Sequence, residues 1–317
     1  MKGKILFLPC LLFFSIHLIP LVKSFYLGHS PSILDFGEVR PGEKRVMELY
    51  LITDHTKDLI VDLNAFPPPF HVFNPNYHRS YDFDPFQASE EDVSSWIEFT
   101  ENPIVVPPQR RYFPEAALEA NKRSTLILKA PKNAEPGYHA GSISFTPKVM
   151  SEGAGYKVAI ITLSQPLFIF KVPGKVERSA EIIDFSSTRV SEEKDRIGVL
   201  VRNNGTVTIS VKIDSVNVSR DGILIASLES TAYTKIKPNQ TSPLYIYWDV
   251  RNSTPGVYDV SVKISWLTGS RTGRGKIELL PYKKVVPLKI QERITFPIWL
   301  FVTVLLLILY ILYKRRG

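Results

Sequence analysis

The chain has 317 residues, 44% of them hydrophobic and 22% charged, with a formal charge of +8 and one cysteine. This composition excludes a disordered or collagen-like chain, and the length exceeds one small sandwich. The single cysteine, Cys10, excludes a disulfide scaffold and a Cys-ligated metal centre in the body of the protein.

The positive charge is unevenly spread. Three lysines in residues 1–24 and the run Lys314-Arg315-Arg316 account for six of the eight charges. Of the remainder, residues 25–173 hold 14 basic and 18 acidic side chains, and residues 174–293 hold 19 and 13. The second half is therefore basic, which suits an anionic lipid surface. No basic helix or aromatic-basic platform points to nucleic acid.

Lys2 and Lys4 precede the largely apolar stretch Ile5–Val22, and Val22-Lys23-Ser24 has the form of a cleavage site. Residues 1–24 read as a secretory signal peptide. At the other end, Phe296–Tyr313 is an uncharged run of 18 residues. As a helix it spans roughly 27 Å, enough for a bilayer core. Trp299, Tyr310 and Tyr313 flank it, and residues 314–317, three of them basic, follow as a cytoplasmic tail. The expectation is a single-pass cell-membrane protein with its body outside and its C-terminus in the cytoplasm.

Between these segments the pattern is all-β. Ile33–Leu51 reads as strand, turn and strand, and Leu59–Leu63 as another strand. Residues 64–114 break the pattern with nine of the 24 prolines and eleven aromatic rings. Proline blocks interior strand pairing, yet so many rings are foreign to a disordered linker. This stretch reads as an ordered insert. Exposed rings would make it a binding surface, with Phe70, Phe73, Tyr77 and Tyr81 as the candidates, while Trp96 and Phe99 fall in the core. Ser89-Glu90-Glu91-Asp92 inside it reads as a solvated helix start.

Strand patterns resume at Ser124–Lys129, Gly141–Thr146 and Val158–Val172, the last broken at Gln165-Pro166. Val172-Pro173-Gly174-Lys175 marks a boundary, so residues 25–173 and 174–293 form two domains. The second carries six further strand candidates, and Asn203-Asn204-Gly205 signals a hairpin between two of them. Pro136-Gly137 and Pro255-Gly256 each lead into an alternating strand, an internal echo that argues for two tandem immunoglobulin-like sandwiches. The fold expected is thus all-β, two sandwiches followed by one C-terminal transmembrane helix.

Residues 28–173 resemble the extracellular β-domain of the WxL-interacting family of cell-wall surface proteins. The resemblance rests on Leu34–Glu43, the Trp96–Phe99 strand, Ala130-Pro131-Lys132 with Pro136-Gly137-Tyr138, and Phe168–Gly174. It implies binding to another surface protein or to wall polymer rather than catalysis. Pilus chaperones and archaeal surface proteins share these turn motifs.

His71 and His78, near Asp82 and Asp84, fit no metal-ligand spacing, and nothing in the chain calls for a cofactor. The glycine-rich Gly269–Gly275 reads as a basic hairpin tip in which Arg271, Arg274 and Lys276 are the candidates for lipid contact. Asn204, Asn217, Asn239 and Asn252 stand in glycosylation sequons. The expected function is that of a membrane-anchored extracellular binding or scaffold protein. The rivals are an enzyme acting on surface glycans and a chaperone-like subunit that pairs through an exposed strand edge.

Overall fold

The computed structural model describes residues 24–148, 160–163, 165–282, 306 and 314. The expected signal segment up to residue 23 lies outside these, as does the apolar run 296–313 apart from the helical Leu306. Among the described residues no helix is long and apolar enough to cross a membrane.

The first sandwich contains β1 (Ser24–Ser30), β2 (Ile33–Glu38), β3 (Lys44–Thr53), β4 (Leu59–Phe66), β5 (Ile97–Phe99), β6 (Ile104–Val106), β7 (Arg111–Phe113), β8 (Leu118–Ala120), β9 (Lys122–Lys129), β10 (Gly137–Lys148), β11 (Ile160–Leu163) and β12 (Leu167–Val172). One sheet has the order β11-β1-β3-β9-β5 and the other β2-β12-β10-β4-β6. Alternating apolar residues fill the space between them, including Leu34, Leu49, Leu51, Leu63, Leu126, Leu128, Phe145, Phe168 and Phe170. Trp96 joins this core and Phe99 packs against it.

The insert covers the outer faces of both sheets. Val72, Phe83 and Ala88 pack on Ala140 of β10 and Ile169 of β12, with Phe73, Tyr81, Tyr138, Ile33 and Leu167 around them. Strand β12 is therefore apolar on both faces, as in a strand buried between two layers. The Arg79 guanidinium holds this cover in shape by donating to the carbonyls of Val72 (2.8 Å), Asn74 (2.5 Å) and Tyr77 (3.1 Å). On the opposite side the small hairpin β7–β8 brings Phe113 and Ala120 against Tyr50 and Ile52 of β3.

The second sandwich contains β13 (Ala180–Arg189), β14 (Lys194–Asn203), β15 (Ile209–Arg220), β16 (Ile223–Leu228), β17 (Tyr233–Ile236), β18 (Thr241–Asp249), β19 (Gly256–Trp266) and β20 (Gly269–Leu279). A three-stranded sheet β13-β14-β18 faces the sheet β16-β15-β19-β20, in which β17 also pairs with β15. Both sandwiches belong to one compact unit that ends at Leu280.

Two turn readings are corrected here. Asn203-Asn204-Gly205 is a crossover between sheets, because β14 pairs with β13 and β18 while β15 lies in the other sheet. The Asn203 side chain is buried and donates to the carbonyls of Val207 and Ile236, both at 2.8 Å, while its oxygen accepts from Gly205 N. The tight hairpin is instead at Asp221-Gly222, where φ is +52° and +79°, the left-handed pair that a two-residue turn requires. Likewise, Gly269–Gly275 is part of strand β20 and not a hairpin tip. A Cβ on Gly273 would lie 2.9 Å from Ile182 Cδ1, and one on Gly275 would lie 2.3 Å from Phe185 Cδ2. These glycines make room for β13 to pack across the open side of the sandwich.

The insert's role as a cover predicts an asymmetry. Phe83→Ala should destabilise the first sandwich by about 3–5 kcal/mol. Tyr77→Ala, at an exposed position, should change stability by less than about 0.5 kcal/mol. Denaturant midpoints of the two variants test this.

Candidate partner-binding surface

Of the four insert aromatics expected at a binding surface, the structure exposes Tyr77. Phe73 and Tyr81 are half-buried and pack against the cluster under the cover. Tyr77 is exposed, with its ring 4.5 Å from that of His71 and the Arg79 guanidinium 5.9 Å away. Phe70 opens the short 3-10 turn Phe70–Phe73, and its side chain lies outside the described residues. Phe73 and Tyr81 serve to cover β10 and β12, whereas Tyr77 stays at the surface. Among the described residues no group of three His, Cys, Asp or Glu converges as a metal site.

An exposed aromatic surface does occur on the second sandwich. In β18, Leu244, Ile246 and Trp248 point into the core, so Pro243, Tyr245 and Tyr247 point outward. Tyr245 is 47% and Tyr247 58% exposed. The Tyr245 ring lies over Gly198 of β14, where a Cβ would come within 3.3 Å of it. The Arg196 guanidinium stands 4.6 Å from the centre of the same ring. Tyr and Arg on an open sheet face are the residue types enriched at interface hot spots. The alternation through 241–249 holds this signal, since the parity that buries Trp248 also exposes both tyrosines.

The acidic run also departs from its reading as a solvated helix start. Glu90 is buried and Glu91 half-buried between the two sandwiches. Glu135, also buried, accepts from Thr208 N at 2.5 Å, from Thr208 Oγ1 at 2.7 Å and from Ser89 Oγ at 2.5 Å. Ser210 donates to the Glu90 carboxylate, Lys235 Nζ donates to the Glu90 carbonyl at 2.9 Å, and Glu90 N donates to the Thr208 carbonyl at 3.3 Å. Arg178, in the linker, donates to the carbonyls of Pro85, Phe86 and Ala88. The interface is thus built from the insert, the linker, the turn before β10 and the β15–β17 region of the second sandwich.

The internal echo has a physical basis at this point. Tyr258 OH donates to the carbonyl of Thr254 at 2.6 Å, a tyrosine corner at the start of β19. The matching position of β10 is His139, whose Nε2–H donates to the carbonyl of Glu135 at 2.8 Å. His139 stacks on Phe170 with ring centres 5.0 Å apart. The corner therefore fixes the backbone of the same glutamate whose side chain reaches the second sandwich.

The four sequon asparagines, Asn204, Asn217, Asn239 and Asn252, are all exposed. Asn204 Nδ2 donates to Glu181 at 2.9 Å and Asn217 accepts from Ser227 at 2.9 Å. The three basic candidates of β20 do not form one patch. Arg274 and Lys276 share the outer face, with Lys276 4.0 Å from Asp259, whereas Arg271 has the parity of the inward-facing Gly273 and Gly275. Arg271 also sits at the start of β20, the end nearest the first sandwich.

No protein-family model matches the sequence, and no curated protein matches it significantly. Solved structures similar to it include a protein of unknown function from Porphyromonas gingivalis W83, at 14% identity over 80% of this chain and 99% of that one, TM-score 0.27. The Escherichia coli chaperone DraB matches at 10% identity over 81% of this chain and 99% of its own, TM-score 0.29. The Pseudomonas aeruginosa CupB2 chaperone matches at 13% identity over 78% and 98%, TM-score 0.24. At these TM-scores the likeness carries no argument about function.

Two groups at the interface make its stability depend on pH in opposite senses. Burial, and then the neighbouring Glu135, push the Glu91 carboxyl up to about 7 from 4.5. A raised folded value contributes stability that is present below about pH 4.5 and lost as pH rises through about 7. Burial lowers His139 from 6.5 to about 4, so its contribution is present above about pH 6.5 and lost as pH falls through about 4. Glu91→Gln should therefore remove a loss of about 1–2 kcal/mol between about pH 4.5 and 7, a figure reduced for the half-exposed position of Glu91. Melting curves of wild type and variant across that range check it.

Proposed function

We propose that this is a membrane-anchored, extracytoplasmic binding or scaffold protein that engages a cell-surface protein or wall polymer without catalysis. The observation that carries the reading is the pair Tyr245 and Tyr247, braced by Arg196 on the open face of the three-stranded sheet. The uncharged run 296–313 and the basic tail support one membrane anchor, and the apolar start of the chain supports export. Exposed sequon asparagines suit a body outside the cell. The resemblance to WxL-interacting proteins supplies the partner class.

Two experiments test it. Protease added to intact cells should digest the body and spare a tag placed after Gly317, whereas cleavage of the tag would reverse the orientation. In crosslinking and pull-down from native cells, Tyr245→Ala with Tyr247→Ala should weaken partner capture at least about tenfold, as expected for the loss of hot-spot residues. The melting temperature should hold. Unchanged capture would remove this face as the binding site.

A further inference from the structure

Strand β15 runs from the interface with the first sandwich, at Thr208 and Ser210, to its far end at Arg220. Its twelve residues carry the chain roughly 35 Å. At that far end the Asp221-Gly222 turn leads into Ile223, Leu224 and Ile225, which are 67%, 60% and 43% exposed. A register shift between Leu224 and Ala226 leaves Ile225 as an extra residue, so aliphatic side chains project from both faces of the tip. Three other elements bring exposed apolar side chains to the same end. They are Val190 after β13, Val257 at the start of β19 and Leu280 after β20.

The chain leaves the sandwich at this end. Ser219 pairs with Asp259, and Gly256 with Leu279, so the tip and the exit from β20 lie three strand spacings apart, about 14 Å. After Leu280 only residues 281–295 intervene before the uncharged run at 296. Fully extended, they reach about 50 Å and so do not by themselves pin the sandwich to the bilayer. The exposed aliphatic side chains of this rim come from four separate elements and stand among the exposed Glu192, Asp221 and Arg251, an amphiphilic edge that fits the interfacial layer of a membrane. Arg220, half-buried beside it, donates to Thr254 at 2.7 Å and stands over the Tyr258 ring at 5.3 Å, a cation held next to the tip.

We propose that the β15–β16 tip dips into the lipid interface and seats the second sandwich upright on the membrane from which it is anchored. This rests on the anchored reading given above. It replaces Arg271 as the lipid contact, since Arg271 lies at the end facing the first sandwich.

The test exploits the cysteine count, because Cys10 is the only cysteine in the chain and falls within the expected signal peptide. Full-length mature protein carrying Leu224→Cys, Thr272→Cys or Leu306→Cys is labelled with an environment-sensitive fluorophore. Each is reconstituted in phosphatidylcholine–phosphatidylglycerol vesicles with lipids spin-labelled near the headgroup or near the chain end. At position 224 the label should emit blue-shifted and be quenched at least about twofold by headgroup-proximal spin labels, as expected of a side chain at the acyl boundary. At 272 it should behave as in water, and at 306 it should be quenched by the chain-end labels. A quenched 306 with an aqueous 224 would overturn the tip contact while leaving the anchor intact. An unquenched 306 would overturn the anchor itself, and the proposal with it. A blue-shifted but unquenched 224 would place the tip against a second copy of this chain and overturn the lipid assignment.

Discussion

The structure turns on one buried carboxylate. Glu135 lies in the turn before β10 of the first sandwich, and its two oxygens take the backbone N–H and hydroxyl of Thr208 in the second. A buried carboxylate tolerates loss of water only when donors replace it, and Ser89 supplies a third. The His139 corner behind it fixes the turn from which Glu135 projects. With Arg178 bonded to the insert's carbonyls from the linker side, rotation of one sandwich against the other would strand several buried polar groups. Leaving even one unsatisfied costs about 1–3 kcal/mol.

The insert makes this arrangement possible. It covers the outer face of β10 and β12, and the residues that end this cover, Ala88 to Glu91, run directly into the interface. The same stretch of chain buries apolar surface in one half and polar contacts in the other. Phe73, Tyr81 and Phe83 serve the cover, while Tyr77, Phe86 and Tyr112 stay exposed. The exposed aromatic face belongs to β18, on the sandwich nearer the chain's exit.

The all-β class was legible because alternation at period two survives in almost every strand, and β11 and β12 fall on either side of Gln165-Pro166 as the sequence implied. The side of burial for the insert was not legible. Phe73 and Tyr81 lack any periodicity, and only the fold reveals that β12 needs a second cover. Glu90 looked like a solvated acid because its partners, Thr208, Ser210 and Lys235, lie more than a hundred residues away. Asn203-Asn204-Gly205 has the composition of a hairpin, but the buried Asn203 amide spends its bonds on Val207 and Ile236 and directs the chain to the other sheet. Tyr245 and Tyr247 were readable in principle from the parity of Leu244, Ile246 and Trp248.

These contacts give the molecule a direction. The first sandwich occupies one end of the second, and β20 ends at the other. Such a layout serves a binding protein only if the two sandwiches move as one body. Calorimetry of the full-length protein in detergent micelles tests that most directly. The account predicts a single cooperative transition in which calorimetric and van't Hoff enthalpies agree, resolved into two by Glu135→Ala. Two separate transitions in the wild-type protein would contradict it.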